Sequence, residues 1–257
     1  MPKNFRCEQN FSIVVVNHQS YRFLNLLLQS LDRFSNWNHI VIVFDNESHL
    51  SIEFENVVQV RSKVNLGHGG GINECLQLVE TENTLIFDSD IHVIREGWDE
   101  RVRAILEEHE LLALQPNSSK PIRGGFGGGR TALLKGCDFR ASVGYRGVRK
   151  TPQLYDTGMR AAQKLLAAGH KTAFLACRPD QNIGTKTGEE ILVDDTAIAY
   201  HHWHGSHLTY RQKDFPQNNL ILEAEKVFRH YSWFVDNPSM IDPYYMEEKS
   251  SLKYLPR

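Results

Sequence analysis

Missing from this sequence is any C-x-x-C pair: its four cysteines, Cys7, Cys75, Cys137 and Cys177, stand far apart. That spacing speaks against a thiolate zinc site and a disulfide scaffold and fits reduced thiols in the cytosol. Missing too is an apolar run near the ~18 residues that a membrane-crossing helix requires. The opening M-P-K-N-F-R-C-E-Q-N lacks the apolar core of a secretion signal. Neither sign of charge is in excess, since 29 Lys and Arg face 31 Asp and Glu for a net charge of −2. A dedicated nucleic-acid binder would be more basic. Internal repeats, linkers and low-complexity segments are absent as well. These absences lead to the expectation of a soluble, cytoplasmic protein without a transmembrane segment, whose hold on a membrane would be peripheral at most.

What remains is ordinary for a globular enzyme: 257 residues, 41% hydrophobic and 23% charged, enough for a substantial core. The chain is organised around residues 84–94, T-L-I-F-D-S-D-I-H-V-I. A short run rich in Leu, Ile and Phe reads as a buried strand. Two carboxylates at its end, with one small residue between them, do not belong to a core, because a buried charge needs a partner. Hard oxygen ligands of this kind suit Mg²⁺ or Mn²⁺. A solvated D-S-D loop is the alternative.

Residues 11–16 and 39–44 are two further β-branched runs, ending in the polar clusters 17–20 and 45–48. Between them, Phe23, Leu24, Leu27, Leu28 and Leu31 fall at helical spacing, with Ser20 as N-cap. Residues 57–61 read as a short third strand. Next, N-L-G-H-G-G-G-I-N at 65–73 reads as a glycine-rich turn into a helix carrying Cys75, Leu76 and Val79. This βαβ order predicts an α/β fold with a mixed, mostly parallel sheet flanked by helices. Ligands in such sheets collect beyond the carboxyl ends of the strands, where these polar clusters fall. Ile72 speaks against a dinucleotide fingerprint, because it stands where the last glycine should be, as does the motif's place after a third strand.

A helix is expected from about 99 to 110, then a loop over 116–130 whose glycines at 124–129 suit a mobile segment closing over a ligand, or a plain connector. Asp156 precedes a helix that ends at Gly169, and a carboxylate there can act as a cap. Residues 171–176 return as a strand. Asp194 and Asp195 interrupt the apolar run 191–200, which leads into H-H-W-H-G-S-H at 201–207. Imidazole is a common metal ligand, and one of these histidines is expected to join the D-S-D carboxylates. A last helix begins near Asn218.

Taken together, these pieces resemble the family-2-like glycosyltransferases of the GT-A fold, over about residues 11–210. S-I-V-V-V-N-H-Q-S resembles the family's first strand and base-binding loop, and F-D-N-E-S its V-D-D-G-S. N-L-G-H-G-G-G-I-N is similar to its N-x-G-x-x-x-x-x-N turn, and F-D-S-D matches its D-x-D. L-Y-D-T-G-M-R resembles its E-D-x-x-x-x-x-R segment, although Tyr155 replaces the Glu and Arg160 falls early. H-H-W-H-G-S resembles the late H-x-W-H-G-S of some relatives.

The resemblance implies an inverting transfer of sugar from a UDP- or GDP-sugar to a hydroxyl of a glycan, lipid-linked, protein or nucleic-acid acceptor. It implies Mn²⁺ or Mg²⁺ on Asp88 and Asp90, with His204 as first choice of histidine and His201 as second. Donor contacts would come from Asn17, Asp45, Asn65, Gly67, Asn73 and Asp88. Asp156 would be the base, with Asp194 or Asp195 next in line. A glycosyltransferase domain over 1–210 would carry 211–257 as a helix and tail packed on it. Two rivals remain: a nucleotidyltransferase that makes nucleotide sugars, and a non-catalytic sugar- or nucleotide-binding module.

Overall fold

The computed structural model describes residues 11–37, 39–46, 52, 54, 56–115, 123–146, 151–155, 157–180, 183–185, 188–202 and 217–235. Contacts divide the chain into two compact units. The first comprises Met1–Val16, Trp37–Asp88 and Val102–Leu175, the second Asn17–Asn36, Ser89–Arg101 and Ala176–Arg257. In chain order the elements are β1 (Ser12–Asn17), α1 (Tyr21–Phe34), β2 (Ile40–Asn46), β3 (Val57–Ser62), α2 (Gly67–Leu78), β4 (Asn83–Asp88) and β5 (Ile91–Val93). There follow α3 (Trp98–Glu108), β6 (Leu111–Leu114), β7 (Arg123–Arg130), α4 (Thr131–Lys135), β8 (Ser142–Arg146) and β9 (Thr151–Tyr155). The chain continues with α5 (Met159–Ala167), β10 (Thr172–Pro179), β11 (Gly188–Val193), β12 (Thr196–His202), α6 (Gln217–Tyr231) and a 3₁₀ turn, Ser232–Phe234. None of the described helices is long and apolar enough to cross a membrane.

In the first unit the strand order is β3-β2-β1-β4-β7-β6-β10. β2 runs parallel to β3, β1 to β4, and β6 to the start of β10, whereas β7 is antiparallel to both β4 and β6. β1 and β2 are buried along nearly their whole length, which is why both read as continuous apolar runs. β3 lies at the edge and is correspondingly half-exposed. One core face collects Val14, Val16, Ile42 and Phe44 from the sheet against Ile72, Cys75 and Leu76 of α2 and Leu165 of α5. Burial pushes the Cys75 thiol up to about 12, so it behaves as a core hydrophobe.

Both glycine-rich stretches differ from expectation. The run at 69–71 is not a turn but the opening of α2 itself. Gly71 explains why: a Cβ there would come within 2.7 Å of Phe44 Cδ1 and 2.9 Å of Val16 Cγ2. The helix thus packs its backbone directly on β1 and β2. The second run, 123–130, is not a loop but the strand β7, and residues 116–122 of the expected loop lie outside the described residues. At Gly128 φ is +153°, and a Cβ would overlap the Thr84 carbonyl of β4. Only glycine fits a backbone held that tightly between two neighbours.

In the second unit the order is the end of β10, then β11, β12 and β5, all antiparallel. Asp194 and Asp195, at φ +47° and +57°, form the two-residue turn between β11 and β12, where both central residues of a type I′ turn require positive φ. The Val93 N–H of β5 donates to Ser30 Oγ of α1 at 3.1 Å, so the outer strand is tied to a helix. Ser20 occupies the N-cap position of α1 without a side-chain cap bond.

Strand alternation gives β12 and β5 two different faces. His92, Tyr200 and His202 share one, packed in an aromatic layer: His92 on Tyr231 at 4.2 Å and His202 stacked on Phe23 at 5.1 Å. His92 is fully buried, and among the described residues neither of its ring nitrogens has a hydrogen-bond partner. Desolvation by burial, with smaller contributions from His202, His230 and His201, lowers its pKa from 6.5 to about 3.

Acid sensitivity follows. Because the folded pKa lies below the unfolded one, the unfolded chain binds more protons as pH drops below about 6.5. Stability is complete above that value and falls through the window towards pH 3, with a loss of roughly 2 kcal/mol at pH 5 for this group. His92→Phe is expected to remove this part of the acid sensitivity. Melting temperatures at pH 7.5 and 5.0 check it, since an identical drop in both proteins would mean that His92 plays no part.

Candidate functional site

Two carboxylates close the central strand segment. Asp88 ends β4 in register with Val16 of β1, and its Oδ1 lies 3.4 Å from Nε2 of His68, the second residue of α2. One residue intervenes before Asp90, which opens the segment leading into β5. There the main chain fixes the neighbourhood. The His202 N–H donates to the Asp90 carbonyl at 3.0 Å, and His201 is the register partner of Ile91. This places the Asp90 side chain beside the end of β12, with Oδ1 3.4 Å from His201 Nε2. Both groups are withdrawn from water, with 4% of the Asp90 side chain and 1% of the His201 side chain exposed.

Alternation decides which of the two described histidines of this segment, His201 or His202, meets the Asp90 carboxylate. His201 leaves β12 on the face opposite to His202 and Tyr200, so the two adjacent histidines part company, one towards Asp90 and one into the aromatic layer. His204, the first choice from the sequence, lies outside the described residues. Asp90 and His201 together offer a hard carboxylate oxygen and an imidazole nitrogen, donors that can hold a divalent ion. Such a set fits Mn²⁺ or Mg²⁺, and it offers no sulfur for a softer metal.

The residues expected at the donor site have the following surroundings. Asn17 is buried at the end of β1, and its Oδ1 accepts the Ser20 N–H at 3.1 Å in the turn before α1. Asp45 is fully buried in β2, and Gln59 Nε2 of β3 donates to its Oδ2 at 3.1 Å. Asn65 Oδ1 accepts from Asn46 Nδ2 at 2.7 Å and from the Gly67 N–H at 2.8 Å, while Asn46 Oδ1 accepts the Leu66 N–H at 2.8 Å. This clasp holds the entry to α2, which Gly67 begins at φ +72°. Asn73 donates to Asp138 at 2.8 Å and accepts the Phe139 N–H at 3.0 Å, so it braces α2 against residues 138–139.

Asp156 also lies outside the described residues. The adjoining helix does bear on its alternative role, because α5 starts at Met159 with Gly158 (φ +71°) as its N-cap residue. The capping position is therefore two residues beyond Asp156. Asp194 and Asp195 are exposed in the hairpin turn, roughly 20 Å along β12 from His201 at strand rise. They are at the wrong end of that strand to serve chemistry near Asp90.

Four polar residues near these positions had no role of their own in the sequence reading: Asn46, Gln59, His68 and Glu189. Asn46 and Gln59 act across strands and loops, and their partners are visible only once β2 and β3 are paired. His68 carried a local signal, as the one side chain other than hydrogen in G-H-G-G-G. Glu189 had none.

No family model matches the chain, and no curated protein matches it. Among solved structures it is similar to the mannosyltransferase PcManGT from Pyrobaculum calidifontis, in complex with GDP-Man and Mn²⁺. The TM-score is 0.51 at 12% identity, over 95% of this chain and 75% of that one. TarS from S. aureus in complex with UDP-GlcNAc gives a TM-score of 0.48 at 16% identity, over 87% and 73%. The 2-C-methyl-D-erythritol 4-phosphate cytidylyltransferase from Thermus thermophilus gives 0.44 at 15%, over 65% and 88%. Those two likenesses are too loose to separate a sugar transferase from a nucleotidyltransferase. At such identities the first speaks for the fold and not for the activity. In fold, this chain is an α/β protein of the GT-A type.

Proposed function

We propose that the chain is a metal-dependent, inverting glycosyltransferase that moves a sugar from a UDP- or GDP-sugar to an acceptor hydroxyl. The observation that carries this reading is the buried pair of Asp90 and His201, at the end of the D-S-D segment of a GT-A fold. Asp88, Asp90 and His201 are the residues that would hold Mn²⁺ or Mg²⁺. When bound, the ion supplies charge neutralisation for the departing nucleoside diphosphate.

The chain's own residues do the rest. Asp45, steadied by Gln59, is assigned to the base, and Asn17 to the loop beside it. Asn65 and Gly67 shape the approach to the N-terminus of α2, where backbone N–H groups favour anionic oxygens. Asn73 keeps that helix braced. Asp156 takes the proton from the acceptor hydroxyl as its oxygen attacks the anomeric carbon from the face opposite the leaving group. His204, from the same H-H-W-H-G-S-H segment, is the alternative nitrogen ligand. The acceptor is a glycan, a lipid-linked glycan, a protein or a nucleic acid, and the reaction is cytoplasmic, within reach of a membrane surface when the acceptor is lipid-linked.

Thermal stabilisation across a panel of nucleotide sugars, with Mn²⁺ and with EDTA, tests the reading. A true donor at 100 times its Kd should add about 2.7 kcal/mol. Stabilisation should vanish with EDTA. Equal stabilisation in both conditions would remove the metal from the account, and none with any donor would remove the donor.

A further inference from the structure

In the second unit the His201 imidazole stands between two carboxylates. Nε2 is 3.4 Å from Asp90 Oδ1, and Nδ1, on the other side of the ring, is 3.8 Å from Glu189 Oε1. The sheet makes this arrangement. Glu189 of β11 is the register partner of His201 of β12, so the two side chains leave the same face as directly opposed neighbours. Glu189 is itself only 12% exposed. The next residue, Glu190, points to the opposite face and is taken by Arg178, whose Nε donates to Oε2 at 2.8 Å. The two adjacent glutamates thus have separate surroundings: an arginine for one, an imidazole for the other.

A neutral imidazole carries one N–H and one bare nitrogen, and only the bare nitrogen can bind a metal. Which nitrogen is bare depends on what the other one donates to. Glu189 is an acceptor on the Nδ1 side, and Asp90 marks the Nε2 side as the one that faces the cation. At 3.8 Å the Glu189 oxygen is about 0.6 Å beyond hydrogen-bonding length, a gap that rotation of its own side chain closes.

We infer that Glu189 is the positioning residue of the metal site. It holds His201 in the Nδ1–H tautomer and fixes the ring plane, so that Nε2 is presented to a divalent cation beside Asp90. This rests on the metal-dependent reading above. Glu189 does not touch the cation or the donor; it acts through His201.

Two measurements on the full chain test it. In the first, Mn²⁺ alone is titrated calorimetrically into wild type, Glu189→Ala, Glu189→Gln, Glu190→Gln and Asp90→Asn. Glu189→Ala should weaken Mn²⁺ about 10–100-fold, the usual effect of losing an outer carboxylate. Glu189→Gln should recover most of that, because an amide oxygen also accepts from Nδ1–H. Glu190→Gln should bind like wild type, which separates positioning from general damage to β11. Should Glu189→Ala not fold, Glu189→Met takes its place, keeping the volume without an acceptor.

In the second, two-bond ¹H–¹⁵N spectra of histidine in the metal-free protein read the tautomer directly. His201 should be Nδ1–H in wild type and lose that preference in Glu189→Met. Wild-type Mn²⁺ affinity in Glu189→Ala, alongside failure of Asp90→Asn to bind, would overturn this inference and leave the metal reading standing. An Nε2–H tautomer in wild type would do the same. Absence of Mn²⁺ binding by wild type would overturn both.

Discussion

Asp90→Asn is expected to reduce sugar transfer by about 10²–10³-fold, the size associated with removing one strong stabiliser of transition-state charge. Asn has the volume of Asp, and the main-chain bond that fixes this position, His202 N–H to the Asp90 carbonyl at 3.0 Å, does not involve the side chain. The strand pairing should therefore survive. The amide keeps a polar group of the same size beside His201, so the variant should melt near the wild-type temperature. A loss of activity without a loss of stability is the expected signature. Transfer rate and melting temperature, measured together on the purified variant, check it; near-normal transfer would take Asp90 out of the site.

The second large effect is expected at Asp156. Replacement by Asn should leave Mn²⁺ and donor affinity unchanged and reduce transfer by roughly 10²–10⁴-fold, the range for loss of a positioned base. The amide cannot take the acceptor's proton at neutral pH. A purely capping role would predict little change, since Asn and Asp serve almost equally as N-caps. That alternative has less room, because Gly158 holds the N-cap position of α5. Near-wild-type turnover of Asp156→Asn would end the assignment. The hairpin residues Asp194 and Asp195 would offer no replacement, as they lie at the far end of β12.

How much of this was legible in the sequence depends on the range of the interactions involved. β1, β2 and α1 were readable because their patterns reflect burial along each element: continuous β-branched runs for the strands, and Phe23, Leu27 and Leu31 at helical spacing for the helix. β7 was not, because glycine carries no hydrophobic period, and its reason for being glycine lies in the Thr84 carbonyl of another strand. The D-S-D carboxylates announced themselves as charges following an apolar run. The histidine beside Asp90 did not, since telling His201 from His202 requires the face of β12, and the face follows from pairing with β5 and β11. Glu189 was invisible for the same reason. It stands 12 positions before His201 in the chain and meets it only across a hairpin register that a bulge between Ile191 and Leu192 shifts.

The central claim, metal-dependent transfer from a nucleotide sugar, is tested most directly by following release of nucleoside diphosphate from UDP- and GDP-sugars. The assay is run with Mn²⁺, with EDTA, and with EDTA followed by excess Mn²⁺. The account predicts release from at least one donor with Mn²⁺, its disappearance with EDTA, and its return when the metal is restored. Release that is indifferent to EDTA would contradict the role of Asp88, Asp90 and His201, and no release from any donor in any condition would contradict the enzyme itself.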